Sequence, residues 1–224
     1  MNADNEIVQI YQPDTSIAKP VQAVENLIAL FLPHANKVDT QLDVNDLMNP
    51  AKYDDKLPVV LLLSGEIVVY RKAGDLLFAW PNAPYLFGLE GSHFRYETYR
   101  LKATKGSEVF ILGREEAIDL VQHHDGALRD LLEHQTWLYD IMSSRDNLLI
   151  NKNSYQIVCG LLLELYQYPL EKRLKMSVAN YILDRSNLAR SGVMKILAAL
   201  RVGEFVDIQR GKLIKVLKKF PSDY

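Results

Sequence analysis

The apolar residues of the chain change their spacing three times between residue 20 and the C-terminus, and each change predicts a different kind of element. Val21, Val24, Leu27, Ile28 and Phe31 fall at helical spacing, with Pro20 placed to start a helix and Pro33 to stop it. From about Lys37 to Gly113 the spacing shortens. The runs PVVLLLSGEIVVYR, DLLFAW, YETYRLKA and SEVFILG alternate with turn signals at Asn49-Pro50, Ser64-Gly65, Ala73-Gly74-Asp75, Pro81-Asn82, Gly91-Ser92 and Lys105-Gly106. Many short strands at such intervals predict an antiparallel sandwich or roll.

Helical spacing returns at Arg114. Glu115–Gln122 reads as a short helix, and a long one is expected from about Asp125 to Asn151. Leu128, Leu131, Leu132, Leu138, Ile141, Met142, Leu148 and Leu149 give it a wide apolar stripe, beside Trp137 and Tyr139. The stripe is broader than a coiled-coil seam and Arg145 interrupts it. Such a helix suits packing on its own sheet with one face and on a second subunit with another; a plain core helix has the same periodicity. Ser154–Tyr168 is a further helix, apolar at Ile157, Val158, Leu161, Leu162 and Leu165 and ended by Pro169. Cys159 sits inside it and reads as packing.

The third change lies in MSVANYILDRSNLARSGVMKILAALRVGEFVDIQRGKLIKV, residues 176–216. Ser177 can cap a helix running to about Ser186, with Val178, Ile182 and Leu183 inward. Asn187 stands where a tight inter-helix turn calls for a left-handed residue. A second helix follows from about Ala189 to Val202, with Val193, Ile196, Leu197 and Leu200 as its apolar stripe and Gly203 as its stop. Phe205–Gln209 and Lys212–Leu217 then read as two strands joined by an Arg210-Gly211 turn. Helix, turn, helix and hairpin in this order make a winged helix-turn-helix.

Composition sharpens this picture. Of 224 residues, 48% are hydrophobic, enough for a substantial core. No apolar run approaches membrane-spanning length, and MNADNEIVQI lacks the basic start and apolar core of a secretory signal, so a cytoplasmic location without a membrane partner is expected. A single cysteine fits a reducing compartment and cannot ligate an iron–sulfur cluster within one chain. The net charge of −2 hides an asymmetry: residues 171–224 hold 12 Lys/Arg against 5 Asp/Glu, whereas residues 1–170 hold 14 against 23. An acidic body with a basic, apolar-punctuated end predicts a folded polyanion-binding module on a carrier.

If the stripe of the second helix faces the core, Arg190, Ser191, Met194 and Lys195 project outward near its N-terminus, the end that reaches base edges in a major groove. Arg190 carries the planar fork that suits guanine, Ser191 can donate or accept, and Lys195 suits phosphate. Ser186 and Asn187 in the preceding turn, and Arg210 and Lys212 on the hairpin, complete the candidate DNA-binding set, with Lys215, Lys218 and Lys219 adding nonspecific attraction.

A strand-rich roll, a long helix and a C-terminal winged helix in this order resemble the Crp/Fnr family. The resemblance runs from about residue 37 and is best in PVVLLLSGEIVVY, SEVFIL and LARSGVMKILAALRVGEFVDIQRGKLIKV. Within the family the chain is most similar to the inhibitor-of-hydrogen-peroxide-resistance branch. The resemblance implies an α+β fold: an antiparallel β-roll like a cyclic-nucleotide-binding domain within residues 1–122, a long dimerisation helix at 123–153 and a winged helix-turn-helix at 154–224. It implies double-stranded DNA, a second copy of the chain and RNA polymerase as partners. The family's recognition helix opens with serine, arginine and glutamate, which fall here at Ala189, Arg190 and Ser191; only the arginine is kept. Base preference is therefore expected to differ from the family's best-known target.

Cyclic-nucleotide members hold the phosphate with an arginine followed by a serine or threonine, a pair that falls at Glu97-Thr98. A carboxylate there repels phosphate. The ribose-contacting Gly-Glu-Leu becomes Gly88-Leu89-Glu90. Gly88, Glu90, Glu97 and Thr98 thus mark a candidate ligand pocket that is not expected to take cyclic AMP; a slip of one or two residues would move the role to Arg95 or Arg100. The roll then binds another molecule or serves only as a dimer scaffold. No cofactor or metal is called for. His123, His124 and His134 read as surface residues and His93 as a loop residue, and the paired acids Asp54-Asp55 and Glu115-Glu116 suit turns and helix starts. Nucleophile-elbow, phosphate-loop and zinc-hydrolase motifs are absent, so no enzyme is expected. The rival reading is a small-molecule sensor whose winged helix docks a protein.

Overall fold

The computed structural model of the chain describes residues 17–42, 44–90 and 93–221. The Gly91-Ser92 turn signal and the N-terminal decapeptide lie outside them. Two compact units are present, Ala18–Tyr139 and the described residues from Asp140 onward.

The first unit opens with α1 (Val21–Phe31), which buries Ala23, Val24, Leu27, Ile28 and Phe31. Pro20 stands at its N-cap and Pro33 lies in the 3-10 turn that directly follows. The strands are β1 (Asn36–Lys37), β2 (Pro58–Ser64), β3 (Ile67–Arg71), β4 (Leu76–Ala79), β5 (Tyr85–Phe87), β6 (Tyr99–Ala103) and β7 (Glu108–Gly113). They form two sheets, ordered β1-β7-β2-β5 and β4-β3-β6, and every pairing is antiparallel.

The side-chain alternation of β2 explains the layering. Val60 and Leu62 point into a core shared with Ile67, Val69, Leu101, Val109 and Ile111 between the sheets. Val59 and Leu61 point the other way, into a second core with Val24, Leu27, Phe31, Leu86 and Leu112 beneath the helices. A strand covered on both faces reads as the continuous apolar run seen in the sequence. Each fully buried Val or Leu contributes about 1.5–3 kcal/mol.

Two shorter helices also pack on this roll. α2 (His93–Thr98) occupies part of YETYRLKA, read from the sequence as all strand. The Tyr96 hydroxyl lies 2.6 Å from the Gly88 carbonyl oxygen and 3.2 Å from that of Pro58. Tertiary bonding there overrides the strand preference of an aromatic run. His93 begins this helix instead of lying in a loop. α3 (Arg114–His123) carries Glu115 and Glu116 in its first turn.

α4 (Ala127–Leu149) is the long helix expected from the stripe. His134, Trp137 and Leu138 face the roll, where Tyr85 meets the rings of His134 and Trp137 at 6.5 and 5.5 Å. Leu128, Leu132 and Tyr139 stay exposed on another side. Asn151, with φ 55°, turns the chain out of the helix after its end.

The second unit contains α5 (Ser154–Tyr166), α6 (Leu170–Lys175), α7 (Val178–Arg185), α8 (Arg190–Val202), β8 (Val206–Gln209) and β9 (Lys212–Val216). A capping box starts α5: the Gln156 N–H donates to Asn153 Oδ1 at 2.9 Å, and the Asn153 N–H donates to Gln156 Oε1 at 3.1 Å. Val158, Leu161, Leu162 and Leu165 of α5 are fully buried. Arg185 ends α7, buried itself and paired with the half-buried Glu164 carboxylate of α5. Burial works against the Arg185 charge, but the Glu164 carboxylate more than offsets it and holds the pKa above its ordinary value. α6 was not legible in the sequence, because its Leu170 and Leu174 are both exposed and no apolar stripe marks it.

Candidate nucleic-acid interface

The turn between α7 and α8 begins and ends on extended residues. Ser186 lies at φ −136°, ψ 163° and Ala189 at φ −69°, ψ 136°. Asn187 is not among the described residues with positive φ, so the expected left-handed turn residue is not used. Ser186 is buried and its hydroxyl donates to the Ile182 carbonyl at 2.6 Å, whereas Asn187 is exposed. Ser186 therefore belongs to the packing of the turn, not to its outer face.

α8 buries Val193, Ile196, Leu197 and Leu200, the stripe read from the sequence. Geometry then turns Arg190, Ser191, Met194 and Lys195 outward, and all four are exposed. Arg201, which sequence reasoning passed over, is exposed farther along the helix. Ala189 provides no side-chain cap and no acid occupies the first turn. Capping residues and first-turn acids each stabilise a helix by up to about 1 kcal/mol. This end forgoes both and keeps its positive potential, with a guanidinium at the first helical position.

The hairpin beside it is a wing. Gln209 pairs with Lys212 across Arg210 and Gly211, whose φ values are 49° and 76°. Two successive left-handed residues make the tight turn whose twist matches antiparallel strands. Arg210 is exposed and Lys212 half-buried. The wing is tied down at two points. The Val178 N–H, at the start of α7, donates to the Gly211 carbonyl at 2.9 Å. Arg173 of α6, with 8% of its surface exposed, donates to the Ile214 carbonyl at 2.9 Å and lies 4.6 Å from the Tyr166 ring centroid. The β8–β9 register shifts so that Asp207 faces Lys215 and Ile208 faces Leu213, leaving Ile214 unopposed. The bulge frees the carbonyl that Arg173 takes. Lys218 sits 3.3 Å from the Glu204 carboxylate and over the Phe205 ring.

In the roll, two of the candidate pocket residues, Gly88 and Glu90, are tied into the fold. The Glu90 carboxylate is buried and accepts from the Gly88 N–H at 2.9 Å. Gly88 has φ 99°, and a Cβ there would collide with the Pro58 carbonyl oxygen, so only glycine fits this approach. Glu97 is exposed. The Thr98 hydroxyl donates to the Phe94 carbonyl at 2.6 Å. Arg100 is engaged by the Asp75 carboxylate and stacks on Tyr70, 5.0 Å from the ring centroid. His123 and His124 are exposed, with ring nitrogens 2.8 and 2.9 Å from the carbonyl oxygens of Asp119 and Leu120. His134, expected at the surface, is instead fully buried. Burial first, then the positive charge of Lys19, lowers its pKa to about 4 against a raising contribution from the Leu86 backbone. Burial likewise pushes the Cys159 thiol up to about 12, against a lowering hydrogen bond from Tyr155. Among the described residues no group of three or more His, Cys, Asp or Glu is placed to hold a metal ion, and no helix is long and apolar enough to cross a membrane.

Residues 154–222 match the family described as winged helix-turn-helix DNA binding. The chain is also similar to the c-di-GMP responsive global regulator CLP of Xanthomonas campestris, at 15% identity and TM-score 0.59 over 88% of this chain and 100% of that one. It resembles a candidate transcriptional regulator of the Crp/Fnr family from Eubacterium rectale, at 18% identity and TM-score 0.58 over 93% and 95%. Roll, long helix and basic winged helix together define the fold of a Crp/Fnr-type DNA-binding regulator. The inhibitor of hydrogen peroxide resistance of Escherichia coli strain K12 is 30% identical over 165 residues, spanning 73% of this chain and 78% of that protein. Its namesake from Salmonella typhimurium is 28% identical over 211 residues, 93% and 99% of the two chains. The chain belongs to the family of proteins named inhibitor of hydrogen peroxide resistance.

Proposed function

We propose that this protein binds duplex DNA sequence-specifically as a homodimer and regulates the transcription of genes that govern peroxide resistance. The observation that carries the reading is the division of α8: its four-residue stripe is buried, while Arg190, Ser191, Met194 and Lys195 are exposed at the uncapped end. The Arg190 fork suits a guanine edge. Lys195, Arg210 and Lys212 suit phosphates, which position the module without reading sequence. Residues 154–224 act as the DNA-binding part, 123–153 as the dimerisation helix and 1–122 as the part that holds the N-terminal helix and the roll. Exposed Leu128, Leu132 and Tyr139 recur at intervals of four and seven along α4, the spacing of a helix seam, and support a second copy as its partner. RNA polymerase is the further partner this reading implies.

Cyclic AMP is not the effector in this account. Glu97 offers a carboxylate where phosphate would need a cation, and Arg100 is already engaged by Asp75. The peroxide link rests on the names of the two relatives. Genome-wide mapping of bound DNA, with and without peroxide, tests the whole reading. A palindrome with half-sites roughly 34 Å apart is expected, upstream of peroxide-defence genes. Failure to enrich any duplex at low salt would overturn it in favour of a winged helix that docks a protein.

A further inference from the structure

Among the described residues, those that carry sulfur are unequally exposed. Met48 is 1% exposed, Met176 8% and Cys159 3%, and Met142 is half-buried. Met194 is 49% exposed, the one exposed sulfur residue among the described residues. It lies on α8 one turn beyond Arg190 and Ser191 and next to Lys195, all of them exposed. Residues three and four apart on a helix are side-by-side neighbours, so the thioether stands within the cationic reading surface.

We propose that Met194 is an oxidation site through which a peroxide weakens DNA binding. The inference rests on the DNA-binding reading above and adds a chemical input to it. A lone pair on the Met194 sulfur attacks one oxygen of hydrogen peroxide. The O–O bond breaks as the S–O bond forms, and the proton on the transferred oxygen passes to the departing hydroxide, which leaves as water. Sulfur loses two electrons and the peroxide gains them, giving methionine sulfoxide. The product replaces a flexible apolar group by a polar, bulkier one with a partly negative oxygen. In a groove that oxygen faces phosphates and base-edge acceptors, and the contact a thioether can make with a thymine methyl is lost. Cys159 does not compete for the role: a peroxide-reactive thiol must be an accessible thiolate, and this one is buried.

The test uses the full chain, a methionine-to-leucine variant at this position (M194L) and a fluorescent duplex that the untreated protein enriches from random DNA. Each protein is treated with hydrogen peroxide, and its Kd is compared with that of its own untreated sample. Wild type is expected to weaken roughly tenfold, the worth of a well-fitted methyl-sized contact, with one oxygen added to the Met194 peptide by mass spectrometry. Methionine sulfoxide reductases should restore both, and the treated-to-untreated ratio of M194L should stay near one. Equal weakening of M194L, or an oxidised Met194 with an unchanged Kd, overturns the proposal. So does weakening while the Met194 peptide remains unoxidised. A protein that enriches no duplex before peroxide is added fails at an earlier step and takes the DNA-binding reading with it.

Discussion

Arg210 combines an exposed side chain with a backbone conformation that L-residues rarely adopt. It takes the first central position of the β8–β9 turn at φ 49°, followed by Gly211 at φ 76°. A two-residue turn of this kind needs positive φ at both positions, and Asn-Gly is its preferred pair. An ordinary L-residue held there costs about 1–2 kcal/mol, whereas asparagine visits the region readily. Replacing Arg210 by Asn should therefore raise the stability of the second unit by about 1 kcal/mol. In a unit of this size that shifts Tm upward by about 4–8 °C. The same substitution removes an exposed guanidinium from the wing tip. If that group meets a DNA phosphate, the slope of log K against log salt should shallow by about 0.9, with the preference for specific over scrambled duplex unchanged. Thermal melts and fluorescence anisotropy across a salt series read both effects from one preparation. A variant that melts lower than wild type would refute the strain argument, and an unchanged salt slope would refute the phosphate contact.

Other outcomes follow from the same geometry. His134 is held near a pKa of about 4 against an ordinary 6.5, so the folded state binds its proton less readily than the unfolded chain. Its contribution is fully present above pH 6.5 and is lost as pH falls towards 4, by up to about 3 kcal/mol. Urea midpoints of wild type should therefore drop below those of His134→Gln progressively over that window, relative to their difference at pH 7; parallel curves would contradict the buried neutral imidazole. Arg173→Met frees the Ile214 carbonyl and should cost about 1.5–3 kcal/mol of stability. It should also make a following Arg210→Ala almost silent in DNA binding, whereas strictly additive losses would show that the clamp does not position the wing. Cys159, with its thiol pushed up to about 12, should react with a thiol reagent at pH 7 only after urea unfolding. Prompt stoichiometric labelling of the native protein would count against its burial.

The sequence carried the elements whose signal is local and periodic. The α8 stripe at Val193, Ile196, Leu197 and Leu200, and the two-faced β2 run, are readable because one buried face fixes the spacing of apolar residues. The strand-like YETYRLKA run misled because the Tyr96 hydroxyl bonds outside the run, to the carbonyls of Gly88 and of the distant Pro58. Asn187 was expected to be left-handed by turn chemistry, yet extended residues on either side carry the turn. His134 could not be told from a surface histidine, since its burial comes from Tyr85 and Trp137 folding over it. In the interface, the exposed cations of α8 and the wing were visible as charge and period. Arg173 was not, because its role depends on a bulge that only strand pairing reveals.

The central claim is that the outward face of α8 reads base edges through Arg190. The direct measurement is the ratio of affinities for an enriched duplex and its scrambled counterpart, at fixed salt, for wild type and Arg190→Ala. The account predicts a ratio that falls by about 1–3 kcal/mol, roughly 5- to 150-fold, while scrambled-duplex binding changes little. An unchanged ratio, with both duplexes weakened alike, would contradict it and leave Arg190 as a phosphate contact only.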